Sequence, residues 1–106
     1  MSSSSYQSIS MKEAMNQLND DTILLDVRRS DEFASGHIPG AINVSNEEIQ
    51  AGKIDSLIEY KDEIIYVYCR SGNRSKQASA KLAEAGFEKI VEIGGILDYQ
   101  GELHFD

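Results

Sequence analysis

The fold is decided by residues 64–75, which read IIYVYCRSGNRS. The first five are β-branched or aromatic, which predicts a buried strand that ends next to Cys69. Residues 76–85 then place Ala78, Leu82 and Ala85 on one side of a helix. The only cysteine therefore lies between the carboxyl end of a strand and the start of a helix. Ligands bind at that edge in open parallel sheets.

The residues around Cys69 favour a reactive thiolate. Helix N-termini and nearby cations stabilise the thiolate form of cysteine, and Arg70 and Arg74 supply two positive charges. The backbone N–H groups of a short loop can also converge on one anion. A lone cysteine is more often a small buried hydrophobic residue. Here the two arginines, Gly72 and the position between strand and helix favour a nucleophile in an anion-binding loop.

Three segments carry a family resemblance: CRSGNRS at 69–75, GHIPGAINV at 36–44, and LDVR at 25–28 followed by Glu32-Phe33. In this order they resemble the active-site loop and two further motifs of the single-domain rhodaneses, which are sulfurtransferases. The similarity extends over about residues 6–101. It implies a single α/β domain of the rhodanese-like fold, with a five-stranded parallel sheet and helices on both faces.

The resemblance also implies a function, that of a thiosulfate sulfurtransferase. Cys69 would be the catalytic nucleophile, taking the outer sulfur of a donor such as thiosulfate, releasing sulfite and holding the sulfur as a persulfide. Cyanide, a thiol or a sulfur-carrier protein would then accept that sulfur, and no metal ion or other cofactor is expected. Such a covalent route predicts ping-pong kinetics. The loop residues expected to bind the substrate are Arg70, Ser71, Gly72, Asn73, Arg74 and Ser75.

Two alternative functions stay open at this point. Related folds include phosphatases and arsenate reductases, whose Cys-x5-Arg loops surround a tetrahedral oxyanion. Here Arg74 follows Cys69 after four residues, and Tyr68 stands where many cysteine phosphatases have histidine. A non-catalytic binding module of the same fold is the second alternative, although such modules often lack the cysteine.

A second polar group follows the predicted strand Ile23–Val27. Buried charges are normally paired, so Asp26, Arg28 and Glu32 are expected to support the loop structurally. Arg28 would pair with a carboxylate such as Glu32, and Asp26 would accept hydrogen bonds from the loop that carries Cys69. His37 lies in a Gly-His-Ile-Pro-Gly bend, and an ionised cysteine needs no base.

The remaining pattern predicts alternating strands and helices. Further strands are expected at Tyr6–Ile9, Ala41–Val44 and Ile90–Ile93, and helices are expected after capping residues Ser10, Ser30 and Ser45. This alternation indicates a doubly wound parallel sheet. Gly94-Gly95 would allow backbone to approach the loop of Cys69 closely. Tyr99 lies near the place where many rhodaneses have tryptophan.

Length and charge narrow the possibilities further. A chain of 106 residues has room for one domain, expected over residues 6–106 after a flexible polar leader at residues 1–5. The net charge of −8 argues against binding to nucleic acid, and no apolar run approaches a membrane span. One cysteine permits no disulfide within the chain, which suits the reducing cytoplasm.

Overall fold

The structure, a computed structural model, describes residues 6–105. Five strands form one sheet in the order β1-β5-β4-β2-β3, and every neighbouring pair is parallel. The predicted five-stranded parallel α/β fold is therefore confirmed, whereas the expected leader at residues 1–5 lies outside the described residues. The strands are β1 (Gln7–Ser8), β2 (Ile23–Asp26), β3 (Ile42–Asn43), β4 (Ile65–Cys69) and β5 (Ile90–Gly95).

Four α-helices connect the strands, together with two 3₁₀ turns, Asp55–Tyr60 and Ile96–Asp98. Two of the predicted caps are confirmed: the hydroxyl of Ser10 accepts from the N–H of Glu13, and that of Ser45 accepts from the N–H of Glu48. Side-chain oxygens at these positions satisfy N–H groups that have no partner inside the helix. The helices are α1 (Met11–Gln17), α2 (Ser30–Ala34), α3 (Asn46–Gln50) and α4 (Asn73–Glu84).

The prediction for the start of α2 was wrong by one residue. Arg29, not Ser30, is the N-cap, and Ser30 is the first helical residue. The carboxylate of Glu32 reaches back to accept the N–H of Arg29 at 3.1 Å. This bond is one half of a capping box, in which the acid at the third helical position satisfies the N–H of the cap residue.

Both faces of the sheet are covered, as expected for parallel strands. Successive side chains of β4 point to opposite faces, so Val67 joins one buried cluster with Leu25 and Leu82. Tyr66 and Tyr68 join a second cluster on the other face. All five residues of β4 are buried, whereas Ile64, which was expected to begin this strand, precedes it and is exposed. Because β4 is packed on both faces, it fixes the position of Cys69 at the carboxyl end of the sheet.

The C-terminal segment, for which the sequence indicated no element, is tied to the bend around His37. The N–H groups of His37 and His104 each donate to the carbonyl of the other residue, at 2.9 and 2.8 Å. The buried ring of His37 stacks on Phe33 and has Nδ1 2.9 Å from the Phe33 carbonyl oxygen. His37 therefore packs between α2 and the C-terminal segment. Across residues 6–105 the helices are too short to include a candidate membrane span.

Ser79 offers a test of the packing under α4. Its side chain is fully buried, and its hydroxyl has no hydrogen-bond partner within the described chain. A buried unpaired hydroxyl costs about 1–3 kcal/mol, and alanine is the better helix former. We expect Ser79→Ala to raise the free energy of unfolding by about 1 kcal/mol, measured by urea denaturation. A lower stability would show that the hydroxyl is bonded in solution.

Candidate active site

Cys69 is the last residue of β4, and its thiol is covered by the loop that follows. The N–H of Gly72 points back at the sulfur, with a nitrogen-to-Sγ distance of 3.0 Å. This turn requires a φ of 113° at Gly72, a left-handed conformation that residues with a β-carbon rarely adopt. Gly72 is also the N-cap of α4, so the sulfur faces the positive end of that helix.

The two adjacent glycines of β5 allow the close backbone approach that the sequence predicted. A β-carbon on Gly95 would overlap the carbonyl oxygen of Arg70 and lie 2.6 Å from the Cα of Ser71. The N–H of Leu97 donates to that same carbonyl at 3.3 Å. The end of β5 therefore packs directly against the backbone of residues 70–71, and this contact leaves no room for a side chain at position 95.

Arg74 lies in the first turn of α4 and is bound by Glu32 of α2. Its two terminal nitrogens lie 2.6 and 3.1 Å from the two carboxylate oxygens, which is a bidentate pair. The hydrogen bonds from Arg74 lower the pKa of Glu32 from 4.5 to about 2. Glu32 was expected to bind Arg28, and that pairing was wrong. The carboxylate of Glu32 instead joins α2 to the start of α4, beside the loop of Cys69, across 42 residues of sequence.

Arg28 pairs with Asp26, two residues earlier in the chain. The Asp26 carboxylate accepts the backbone N–H of Arg28 at 2.9 Å and its Nη2 at 2.7 Å, and Nη2 also donates to the Gly36 carbonyl. Asp26 was expected to accept hydrogen bonds from the loop of Cys69, but its carboxylate binds Arg28 instead. The pair is buried. Removing one partner would leave an uncompensated buried charge.

Tyr68 connects this ion pair to the central strand. Its hydroxyl accepts the N–H of Ile38 at 3.1 Å, and its ring lies 5.9 Å from the guanidinium carbon of Arg28. Burial, together with the neighbouring Asp26 carboxylate, raises the pKa of the Tyr68 hydroxyl. The residue before Cys69 therefore stays neutral.

Arg70 differs from the other three arginines of the chain. Arg28, Arg29 and Arg74 each bind a carboxylate. Arg70 is exposed, and no hydrogen bond or ion pair of its side chain is found within residues 6–105. Its guanidinium is therefore available to an incoming anion. Ser71 and Asn73 are also exposed on the loop, whereas Gly72 and Ser75 are buried beneath it.

The structure adds Glu92 of β5, which the sequence reading did not select. The side chain is 3% exposed, and its Oε2 lies 2.5 Å from the hydroxyl of Ser75 and 2.7 Å from the N–H of Gly94. The same Ser75 hydroxyl lies 3.6 Å from the sulfur of Cys69. A carboxylate inside the otherwise apolar strand IVEIGG was the available signal, as Asp26 is within ILLD. Within residues 6–105, no group of three or more His, Cys, Asp or Glu side chains is placed to hold a metal ion.

Comparison with known proteins places this geometry in a family. A model of the rhodanese-like domain matches residues 10–102. The chain belongs to the rhodanese-like domain family. In Escherichia coli strain K12, the uncharacterized protein YibN is 32% identical over 96 residues, which cover 89% of this chain and 67% of YibN. The thiosulfate sulfurtransferase PspE of the same strain is 32% identical over 74 residues, which cover 70% of each protein.

A solved structure agrees with the fold of this rhodanese-like chain. The crystal structure of a rhodanese-like domain protein from Staphylococcus aureus is 30% identical and has a TM-score of 0.79. The match covers 94% of this chain and 98% of that one. The predicted family and fold are confirmed, and sulfurtransferases are among the relatives of the chain.

The pair of Arg74 and Glu32 predicts a pH dependence of stability. Because the pKa of Glu32 is lower in the folded protein, the pair stabilises the fold above about pH 4.5 and loses that effect as pH falls toward about 2. We expect Glu32→Gln to lower the unfolding free energy at pH 7 by about 1 kcal/mol. The deficit relative to wild type should shrink between pH 4.5 and 2, measured by urea denaturation across that range. Glu59→Gln, at an exposed acid of the first 3₁₀ turn, is the control. If both variants changed the unfolding free energy equally at every pH, the pair of Arg74 and Glu32 would not stabilise the fold.

Proposed function

We propose that this protein is a sulfurtransferase that moves a sulfane sulfur from a donor such as thiosulfate to cyanide or a thiol, through a persulfide on Cys69. The observation that supports it most is the 3.0 Å contact between the Gly72 N–H and the sulfur of Cys69. A backbone donor aimed at sulfur stabilises negative charge there. Membership of the rhodanese-like family and the similarity to PspE support the same class of reaction.

In the first half-reaction the thiolate of Cys69 attacks the outer sulfur of thiosulfate. A new S–S bond forms on Cys69, the S–S bond of thiosulfate breaks, and sulfite leaves with the electron pair. The N–H of Gly72 and the start of α4 stabilise the charge on the sulfur. Arg70 binds the sulfonate end of the donor, because its guanidinium has no partner among the described residues.

In the second half-reaction the acceptor attacks the outer sulfur of the persulfide and releases Cys69. The physiological acceptor is a thiol or a sulfur-carrier protein, and cyanide replaces it in the assay. No step needs a metal ion or organic cofactor. Arg74 holds the loop to α2 through Glu32, and its positive charge adds to the field at the sulfur. The reaction suits a reducing compartment such as the cytoplasm, because a second cysteine that could trap Cys69 as a disulfide is absent from the chain.

Intact-mass spectrometry tests the persulfide directly. Thiosulfate without an acceptor should leave the protein heavier by one sulfur atom and release an equal amount of sulfite. Cyanide or a small thiol should then restore the original mass, because attack on the outer sulfur regenerates Cys69. Cys69→Ser, the control, should stay unmodified while keeping its circular dichroism spectrum.

An unchanged mass with several sulfur donors would contradict a sulfurtransferase. Hydrolysis of a phosphate ester by the same preparation would favour the phosphatase alternative. The absence of both reactions would favour the binding module.

The availability of Arg70 predicts a specific loss of thiosulfate use. Removing a charged hydrogen bond costs about 1.5–3 kcal/mol, so Arg70→Ala should lower kcat/KM for thiosulfate about 10- to 100-fold with little change in the melting temperature. Arg29→Ala is the matched control, because Arg29 is an exposed arginine that is already bound to Asp31. Equal kcat/KM values for both variants and wild type would show that Arg70 does not contact the donor.

A further inference from the structure

Glu92 is a buried carboxylate that the sulfur transfer described above does not use. The hydroxyl of Ser75 lies between this carboxylate and the sulfur of Cys69. Its oxygen is 2.5 Å from Oε2 of Glu92 and 3.6 Å from Sγ. The other carboxylate oxygen of Glu92 accepts the hydroxyl of Ser8 at 3.2 Å. One carboxylate therefore links β1, the first turn of α4 and the underside of the catalytic loop.

The Ser75 hydroxyl has a single proton. The acceptor that takes this proton decides which groups in the series Cys69, Ser75 and Glu92 donate hydrogen bonds and which accept them. Three acceptors compete for it: the carboxylate of Glu92 at 2.5 Å, the carbonyl of Gly72 at 2.9 Å and the carbonyl of Gly94 at 3.4 Å, while the thiol of Cys69 lies 3.6 Å from the same oxygen as a donor. The shortest bond leads to a carboxylate, and hydrogen bonds to charged acceptors are the stronger ones. With its proton on the Glu92 side, the Ser75 oxygen turns a lone pair toward Cys69. The resting arrangement is then a thiol that donates to Ser75, which in turn donates to Glu92.

We propose that Glu92 is a positioning residue that stores the proton of Cys69, through Ser75, while Cys69 carries sulfur. This inference rests on the proposed sulfurtransferase function. As the thiol is activated, its proton moves to the oxygen of Ser75, and the proton of Ser75 moves to Oε2 of Glu92. The products are a thiolate, a serine hydroxyl that now donates to sulfur, and a neutral carboxylic acid. The negative charge has moved from the carboxylate to the sulfur, and the net charge of the site is unchanged.

The stored proton returns when the sulfur is passed on. A thiol acceptor first gives its own proton to the outer sulfur of the persulfide and becomes a thiolate. The acceptor thiolate attacks that outer sulfur, the S–S bond on Cys69 breaks, and the leaving sulfur takes a proton from Ser75 while Ser75 takes one from Glu92. The acceptor leaves as a persulfide, and the resting thiol and carboxylate are restored. Over the whole cycle, thiosulfate and a thiol become sulfite and a persulfide without net gain or loss of protons.

Charged groups from several elements surround Glu92 and Cys69. Two negative charges on groups that one hydroxyl separates oppose each other, so a proton held at one of them favours the charged form of the other. The other charged groups near Glu92 line a cavity of about 370 Å³ beside it, and they are Lys12 of α1, Lys76 of α4 and Asp98 of the last 3₁₀ turn. Arg74, in the same turn as Ser75, is bound to Glu32.

The pH profile of Cys69 alkylation by iodoacetamide tests the shared proton. Glu92→Gln keeps the shape of the side chain and an oxygen for Ser75 and Gly94 but cannot carry charge. Because the thiolate then no longer competes with a carboxylate, the pH of half-maximal alkylation should fall relative to wild type. Glu88→Gln, an exposed acid just before β5, is the matched control and should leave the profile unmoved.

The two half-reactions, followed separately by intact mass, test the return of the proton. Glu92→Gln should form the persulfide at least as fast as wild type at neutral pH. Its discharge to a small thiol should be about tenfold slower or more, because general acid catalysis contributes at least that much. Ser75→Ala should show the same slow discharge. Ser79→Ala, at a buried serine one turn further along α4, should discharge at the wild-type rate.

The outcomes separate the two proposals. If wild type forms no persulfide, the proposed sulfurtransferase function fails. If wild type is charged normally but Glu92→Gln and Ser75→Ala slow both half-reactions equally, with no shift in the alkylation profile, then Glu92 only braces the loop and the proton store is overturned. A Glu92→Gln variant that does not fold leaves Ser75→Ala to decide, since its discharge rate relative to Ser79→Ala carries the same prediction.

Discussion

The turn from Cys69 to Gly72 is the constraint on which the rest of the site depends. With a left-handed residue at position 72, the chain leaves β4, directs an N–H at the sulfur and begins α4 within four residues. Neighbouring elements are arranged to hold that turn. Gly95 lies against its carbonyl side, and the N–H of Lys76 donates to the Gly72 carbonyl from within the helix. The reactive sulfur is therefore placed by backbone geometry before any charged side chain contributes.

Local pairing also explains how a chain with a net charge of −8 can present a positive group at its active site. Asp26 and Glu32 each have a bonded arginine, Arg28 and Arg74, and these two pairs are buried or half-buried. Arg70 is the arginine of the loop that is exposed and has no carboxylate partner among residues 6–105, so its charge is available to an approaching anion.

Local features were the ones that the sequence could predict. The caps at Ser10 and Ser45, the strand before Cys69 and the approach of Gly94-Gly95 depend on residue types and short-range spacing. The partners of the arginines could not be predicted. The periodicity of a sequence indicates which face of a helix or strand a side chain occupies, but not which other element packs against that face. Glu32 and Arg74 are joined only once α2 and α4 are packed around the sheet. Arg28 binds Asp26, two residues away, rather than Glu32, four residues away. The backbone at the end of β2 directs the N–H of Arg28 to the same Asp26 carboxylate that its side chain binds.

Access to the sulfur argues for the kind of group that Cys69 can receive. The thiol is 1% exposed, and the N–H that contacts it comes from the loop that also covers it. A donor must therefore present a reacting atom at its tip, as thiosulfate presents its outer sulfur. The phosphorus of a phosphate ester is enclosed by oxygens, which need donors around a wider ring than the four residues between Cys69 and Arg74 provide. Arg74, which would close such a ring, already donates to both oxygens of Glu32. A loop of this size suits a single terminal sulfur better than a tetrahedral centre, which is the physical reason for proposing sulfur transfer rather than phosphate hydrolysis at this site.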